Sequence, residues 1–229
     1  MKKIFVLSIA LLSIFSLNAQ KFGFKVGMNL SGVNSSTILS DYETAALSGG
    51  LNGGLVFEFS PVKMIGIRTE ALFSQKGYNI ESDVNANGTD AVINTSLTMN
   101  YLEIPLLLRI KLGSLYVTAG PYFAYAVSGK DIASITVDGQ KLAEDQYENY
   151  GQVPSNDVFK DGEFNGDNIT YSRTDAGLNV GLGVKLLKFF AEARYGVGLA
   201  NIKSYDNMPS DEFMKNYTVS LSVGVLFGK

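Results

Sequence analysis

Any chemistry in this chain would have to come from carboxylates. It contains no histidine and no cysteine, which removes the usual general base, the commonest metal ligand and every thiolate mechanism. Glu70 and Glu103 could be written as an acid–base pair. Each has a base close by in sequence, Arg68 and Arg109, and ion pairing is the better use of such groups, because buried charges are normally paired. A second candidate is Asp161-Gly162-Glu163-Phe164-Asn165-Gly166-Asp167, which places oxygen side chains at every second position with a glycine after the third. That partly matches a calcium loop, but position 12 would be Ser172, so the bidentate glutamate is missing. The stretch reads better as an acidic, solvated loop. The sequence therefore predicts no enzyme, no cofactor and no metal site.

The charged residues that remain follow an alternation. In Tyr101–Ile110, Leu102, Ile104, Leu106, Leu108 and Ile110 fall on one side of an extended strand, and Tyr101, Glu103, Pro105, Leu107 and Arg109 on the other. The same period of two runs through eight stretches: roughly 21–33, 49–60, 65–79, 96–111, 115–129, 171–186, 189–202 and 215–229. Long polar loops are expected at 34–48, 80–95, 130–170 and 203–214, and short turns at 61–64, 112–114 and 187–188. No stretch beyond the first nineteen residues holds a helical apolar period long enough to compete. Lys25, Glu58, Arg68, Glu70, Glu103, Arg109, Arg173, Asp175, Lys185, Glu192 and Arg194 all alternate onto the non-aliphatic face. Arg68, Glu70, Glu103, Arg109, Asp175, Glu192 and Arg194 are the candidate members of one interior charge network.

The first nineteen residues read as an export signal. Lys2 and Lys3 precede a largely apolar run from Ile4 to Phe15, and Ser16-Leu17-Asn18-Ala19 ends in a small residue suited to cleavage before Gln20. The run is shorter than the ~20 apolar residues a spanning helix needs. Residues 20–229 then form one domain. A net charge of -3 gives no electrostatic case for nucleic acid.

Alternation alone permits two barrels. In a membrane barrel the aliphatic face meets lipid and the charged face lines the interior; in a soluble, lipocalin-like binding barrel the aliphatic face turns inward. Three features favour the membrane. Loops and turns are asymmetric in length, as in outer-membrane barrels with short periplasmic turns and long extracellular loops. Aromatics gather in two bands, Phe22, Phe24, Phe57, Phe59, Phe189 and Phe227 near the short turns and Phe73, Phe123, Tyr125 and Tyr217 toward the long loops, as bilayer interfaces require. The last stretch offers mainly Ser, Thr and Gly opposite its apolar face, where a soluble exterior needs charge. The expectation is an all-β, eight-stranded antiparallel transmembrane barrel whose interior is a packed polar core, with glycines leaving room for long side chains.

Tyr101-Leu102-Glu103-Ile104-Pro105-Leu106-Leu107-Leu108-Arg109, together with Ala119-Gly120-Pro121-Tyr122-Phe123-Ala124-Tyr125, Asp175–Gly183, Glu192–Ile202 and Gly23–Asn29, resembles the PorT-like outer-membrane β-barrel family of Gram-negative bacteria. The resemblance covers essentially the whole of residues 20–229. It implies an integral outer-membrane protein and brings no catalytic residues. The founding member of that family is tied to protein secretion across the outer membrane. The expected partners are outer-membrane lipid and lipopolysaccharide, with protein partners reached through loop 130–170. The expected role is structural or interactive; a small pore or secretion component is the alternative.

Overall fold

The alternating stretches close into a ring. The computed structural model describes residues 20–36, 43–86, 89–137, 140–143, 158–159, 170–204 and 212–228. Its strands are β1 (Gln20–Ser35), β2 (Glu43–Phe59), β3 (Ile65–Ala86), β4 (Thr89–Leu112), β5 (Leu115–Val137), β6 (Gln140–Lys141), β7 (Thr170–Tyr171), β8 (Thr174–Leu186), β9 (Phe189–Gly198), β10 (Lys203–Ser204) and β11 (Met214–Phe227). Eight of them form an antiparallel barrel in the order β1-β2-β3-β4-β5-β8-β9-β11, and β11 pairs back onto β1. β6 adds to the edge of β5, and β7 pairs with β10. The export segment expected over 1–19 and the acidic stretch 161–167 lie outside the described residues.

The register fixes how the interior is assembled. A path across neighbouring strands starts at Met64, the residue before β3, where Lys111 donates its amide hydrogen to the Met64 carbonyl. It runs through Tyr116, Gly183, Glu192, Ser222, Gly27 and Asn52 and returns at Ser74, ten residues above where it left. Such a stagger over eight strands tilts them by roughly 40°. It also brings side chains from distant parts of the chain to one height.

The aliphatic face points outward. Leu102, Ile104, Leu106 and Leu108 are each about half exposed, while Tyr101, Glu103, Leu107 and Arg109 are buried. Phe22, Phe24, Phe57, Phe189 and Phe227 are exposed near the short turns, and Phe73, Phe123 and Tyr125 toward the other end. This overturns the soluble alternative, in which those residues would line the inside. Of the short turns, Gly113 adopts φ +69 and Leu187 φ 57; glycine suits the first, while Leu187 accepts left-handed backbone in a two-residue hairpin that needs it.

Several expected boundaries move. Loop 80–95 is instead the top of a hairpin: β3 and β4 stay paired as far as Ala86 and Thr89. β2 begins at Glu43, inside the loop expected over 34–48, and β5 runs on to Val137, inside the one expected over 130–170. Above the apolar belt the outer face of these strands carries polar residues such as Asn79, Asn94 and Ser96 while Tyr78, Ile93, Leu97 and Ile135 stay buried inside, so the aliphatic outer face that marks the lower strands in sequence is missing. Conversely β8 starts at Thr174 and β9 stops at Gly198, leaving Arg173 and residues 199–202 outside those strands.

β5 carries a bulge. Asn100 pairs with Ser128 but Tyr101 with Ala126, so Val127 is the extra residue. Tyr122, Ala124 and Ala126 point inward below it; Val127 and Ser128 are both exposed; above it Gly129 and Ile135 turn inward. One added residue has exchanged the two faces of the strand. The apolar belt on β5 ends there, with Lys130 exposed beyond it.

Candidate functional site

The structure places Arg68, Glu70, Glu103, Arg109, Asp175, Glu192 and Arg194 on the interior face, all buried. Alternation puts them there, and the stagger of the strands brings them into contact. Arg109 Nη2 lies 2.9 Å from Glu58 Oε1, and Arg68 Nη2 lies 2.9 Å from Glu58 Oε2. Arg68 Nη1 reaches Glu192 Oε2 at 2.8 Å. Arg194 holds Glu70 with both terminal nitrogens and also pairs with Glu192. Lys25 Nζ completes the chain at 3.1 Å from Glu70. This continuous group crosses the lumen from β4 to β1.

Glu103 and Asp175 belong to a second, smaller group. Lys76 Nζ sits 2.9 Å from Glu103 and 3.3 Å from Asp175. The Tyr122 hydroxyl and the Asn216 side-chain amide each donate to Asp175 Oδ2 at 3.1 Å. Lys76 was not among the interior residues expected from sequence. It shares the even-numbered parity of Arg68 and Glu70 on one strand, and that signal suffices to find it. Lys25 and Glu58, seen in sequence only as interior charges, are full members of the first group. Arg173 behaves differently: its guanidinium donates to the Ala126 carbonyl at 3.2 Å and lies 4.3 Å from the Phe159 ring centre, at the loop end of the lumen.

Among the described residues, the buried interior charges are five basic (Lys25, Arg68, Lys76, Arg109, Arg194) and five acidic (Glu58, Glu70, Glu103, Asp175, Glu192). The set is neutral, as a low-dielectric interior demands. Aromatic rings pack over the cations: Tyr116 lies 4.7 Å from the Arg68 guanidinium and Tyr122 4.4 Å from the Lys76 ammonium.

Apolar layers close the lumen on both sides of the charges. Val56, Tyr116, Phe190 and Leu226 pack near the short turns. Toward the long loops, Tyr78, Leu97, Met99 and Tyr101 pack with Val158, Ile202 and Met214, which come from outside the belt. Val158 is seated by its own amide donating to the Gly129 carbonyl and by the Tyr171 amide donating to its carbonyl. A side chain at Gly129 would collide with Val158 and Phe159. Between the layers, a cavity beside Asn29, Lys76 and Asn179 measures about 20 Å³, room for about one water.

Above the belt, the bulge turns Asp131 toward Tyr78 and Tyr171, whose hydroxyls are 2.7 Å apart. Burial raises the Asp131 carboxyl to about 6, and its Oδ1 is buried without a hydrogen-bond partner. Sequence parity assigns Asp131 to the outer face; a one-residue slip leaves no compositional trace.

In comparisons with solved structures, the chain is similar to Ail, the attachment invasion locus protein of Yersinia pestis, at 16% identity and a TM-score of 0.40, covering 90% of this chain and 98% of that one. It is similar to Neisserial surface protein A at 10% identity and a TM-score of 0.39, covering 89% and 96%. The outer membrane protease OmpT from Escherichia coli gives 7% identity and a TM-score of 0.34, covering 93% and 98%. No curated protein matches the chain. The family model of the outer membrane protein beta-barrel domain matches residues 18–204. The match does not single out a PorT-like branch. Its reach over most of the strands, together with an outward aliphatic belt and a paired charged interior, means that the chain belongs to the outer membrane protein beta-barrel domain family and is an outer-membrane protein.

Proposed function

We propose that this barrel is a closed, non-enzymatic membrane anchor whose long-loop end is the interaction surface, with outer-membrane lipid and lipopolysaccharide around it. The filled lumen carries this reading. Ten mutually paired charges lie between two apolar layers, and the cavity between them is of water size. Ion passage would require breaking buried pairs, each costing about 3–5 kcal/mol when one partner is lost. A small pore is the weaker reading for that reason. The interior carboxylates are engaged by bases, which favours structure over acid–base work.

On this reading residues 1–19 direct export and are removed, and the short turns face the periplasm. The stretch Leu102-Glu103-Ile104-Pro105-Leu106-Leu107 supports placing the chain near PorT-like barrels, without carrying over a part in secretion. The test is reconstitution of the refolded barrel in planar bilayers. Silent membranes across a range of voltages are expected; discrete conductance steps from heat-modifiable, folded protein would sink the proposal. A pull-down from solubilised outer membrane, with and without residues 144–157, then identifies what the loop end holds.

A further inference from the structure

The lipid-facing belt is uneven. On β9 it presents Ala191 and Ala193 in succession, between Phe189 at one end and Tyr195 at the other. Elsewhere on that face, single alanines such as Ala71 and Ala119 have bulkier neighbours along their own strand: Thr69 and Phe73 for one, Val117 and Pro121 for the other. Across the ladders, Ala193 is flanked by Leu182 and Leu221, and Ala191 by Val184 and Val223. Small floor residues between taller walls leave a shallow depression over Ala191 and Ala193, walled by Leu182, Val184, Leu221 and Val223 and reaching sideways to Met28 and Leu51; a second hollow continues it past Phe189. The segment of β9 from Phe189 to Tyr195 is roughly 20 Å long at the usual rise of a strand, the reach of an extended acyl chain.

The short-turn end of this groove is basic. Lys188 occupies the two-residue turn after β8, exposed, with its ammonium 5.6 Å from the Phe189 ring centre and 5.9 Å from that of Phe227. Lys63 and Lys111 are exposed at the same end, and Lys21 and Lys185 are partly exposed there. The acid at that end among the described residues is Glu58, which is buried and already held by Arg68 and Arg109. An ammonium at the foot of an apolar groove, on a rim where the described residues expose several lysines and no side-chain carboxylate, is complementary to an anionic headgroup joined to a hydrocarbon chain.

We propose that the groove over Ala191 and Ala193 binds one acidic phospholipid, its acyl chain laid along β9 and its phosphate held by Lys188. The site goes beyond the anchor reading and would stand even if the lumen conducted. Two alternatives are separable from it: general attraction of anionic lipid to the whole basic rim, and cover of the groove by a second copy of the chain.

The chain has no tryptophan, so a single introduced one reports its own lipid contacts. Leu221→Trp, on the groove wall, and Leu106→Trp, on the opposite side of the ring, are refolded into phosphatidylcholine vesicles. Each vesicle carries either brominated phosphatidylglycerol or brominated phosphatidylcholine at equal mole fraction. Bromine within contact distance quenches the tryptophan. The expected result is about fivefold stronger association of the acidic lipid than of phosphatidylcholine at Leu221→Trp, the equivalent of about 1 kcal/mol per lysine near an anionic headgroup, and a much smaller preference at Leu106→Trp. Lys188→Gln on the Leu221→Trp background should abolish the difference, and Ala191→Leu/Ala193→Leu should reduce it; heat-modifiable migration confirms that each variant is folded. Equal quenching by the two lipids at Leu221→Trp overturns the site. An equal acidic-lipid preference at both positions, unaffected by Lys188→Gln, replaces it with general rim attraction. Weak quenching by both lipids at Leu221→Trp alone replaces it with a second copy. The comparison of the two reporters decides the matter even if the groove-filling variant does not fold.

Discussion

Arg194 on β9 grips Glu70 on β3 with both ends of its guanidinium: Nη1 lies 2.8 Å from one carboxylate oxygen and Nη2 2.8 Å from the other. Such a fork is stronger and more directional than a single contact. It ties together two strands from opposite halves of the chain. Glu70→Gln leaves Arg194 and Lys25 facing a neutral amide, so barrel stability should fall by about 3–5 kcal/mol. Urea titration read by heat-modifiable migration measures this. Glu70→Gln/Arg194→Met should be less destabilised than the sum of its single variants, because the double change removes one charge of each sign.

Ile104 and Glu103 are adjacent and face opposite media. Ile104 is 56% exposed on the belt, and Glu103 is paired with Lys76 inside. Ile104→Arg should cost about 2–4 kcal/mol by putting a cation into lipid. Glu103→Gln should cost less, since Lys76 keeps Asp175. Refolding yields into vesicles rank the two variants; the reverse ranking contradicts the assigned faces.

The Tyr116 phenol occupies the space where a side chain at Gly183 would begin. That ring lies against both Arg68 and Arg109. Gly183→Ala must push Tyr116 off these cations, at a cost of about 1–3 kcal/mol for an overpacked interior. Gly183→Ala/Tyr116→Phe should not rescue the loss, because the clash involves the ring as well as its hydroxyl. Both variants are read as shifts of the urea midpoint.

Asp131 lies beyond the belt, and burial holds its carboxyl near 6 against an ordinary value of 3.8. Between those values the folded form keeps a proton that the unfolded form has lost. Its contribution to stability is therefore full below about pH 4 and falls away as pH rises through about 6. The loop end should become easier to proteolyse across that interval. Asp131→Asn should flatten the dependence and leave the loop end protected at neutral pH.

Orientation is tested on intact cells. Surface-added protease should cut within 130–170 and spare the turns at 61–64, 112–114 and 187–188. Cutting that requires a permeabilised outer membrane would reverse the assignment.

The barrel could be read from sequence because lipid and lumen impose opposite chemistry on alternate residues. Leu102 and Glu103, or Val180 and Asn179, declare their faces by type alone. The identity of partners could not be read. Nothing near Glu70 in the chain announces Arg194, since their contact depends on stagger accumulated over every intervening strand. Nor could the hairpin above the belt, where Asn79, Asn94 and Ser96 look like a loop because the outer face there is polar, while Tyr78, Ile93 and Leu97 are buried on the other. The inward turn of Asp131 was hidden by the bulge at Val127, which changes a count and not a composition. Lys76 was readable by parity.

The pairing of the ten interior charges also constrains how the protein enters the bilayer. β1 to β5 alone hold Lys25, Arg68, Lys76 and Arg109 against Glu58, Glu70 and Glu103, one positive charge too many. β8 and β9 hold Asp175 and Glu192 against Arg194, one negative charge too many. Neither part could cross hydrocarbon by itself without carrying an unmatched ion: in the β8–β9 hairpin Arg194 keeps Glu192, but Asp175 is left without Lys76. The two parts balance only when β8 and β9 stand against β1 to β5; β11, which closes the ring onto β1, brings none of the ten charges.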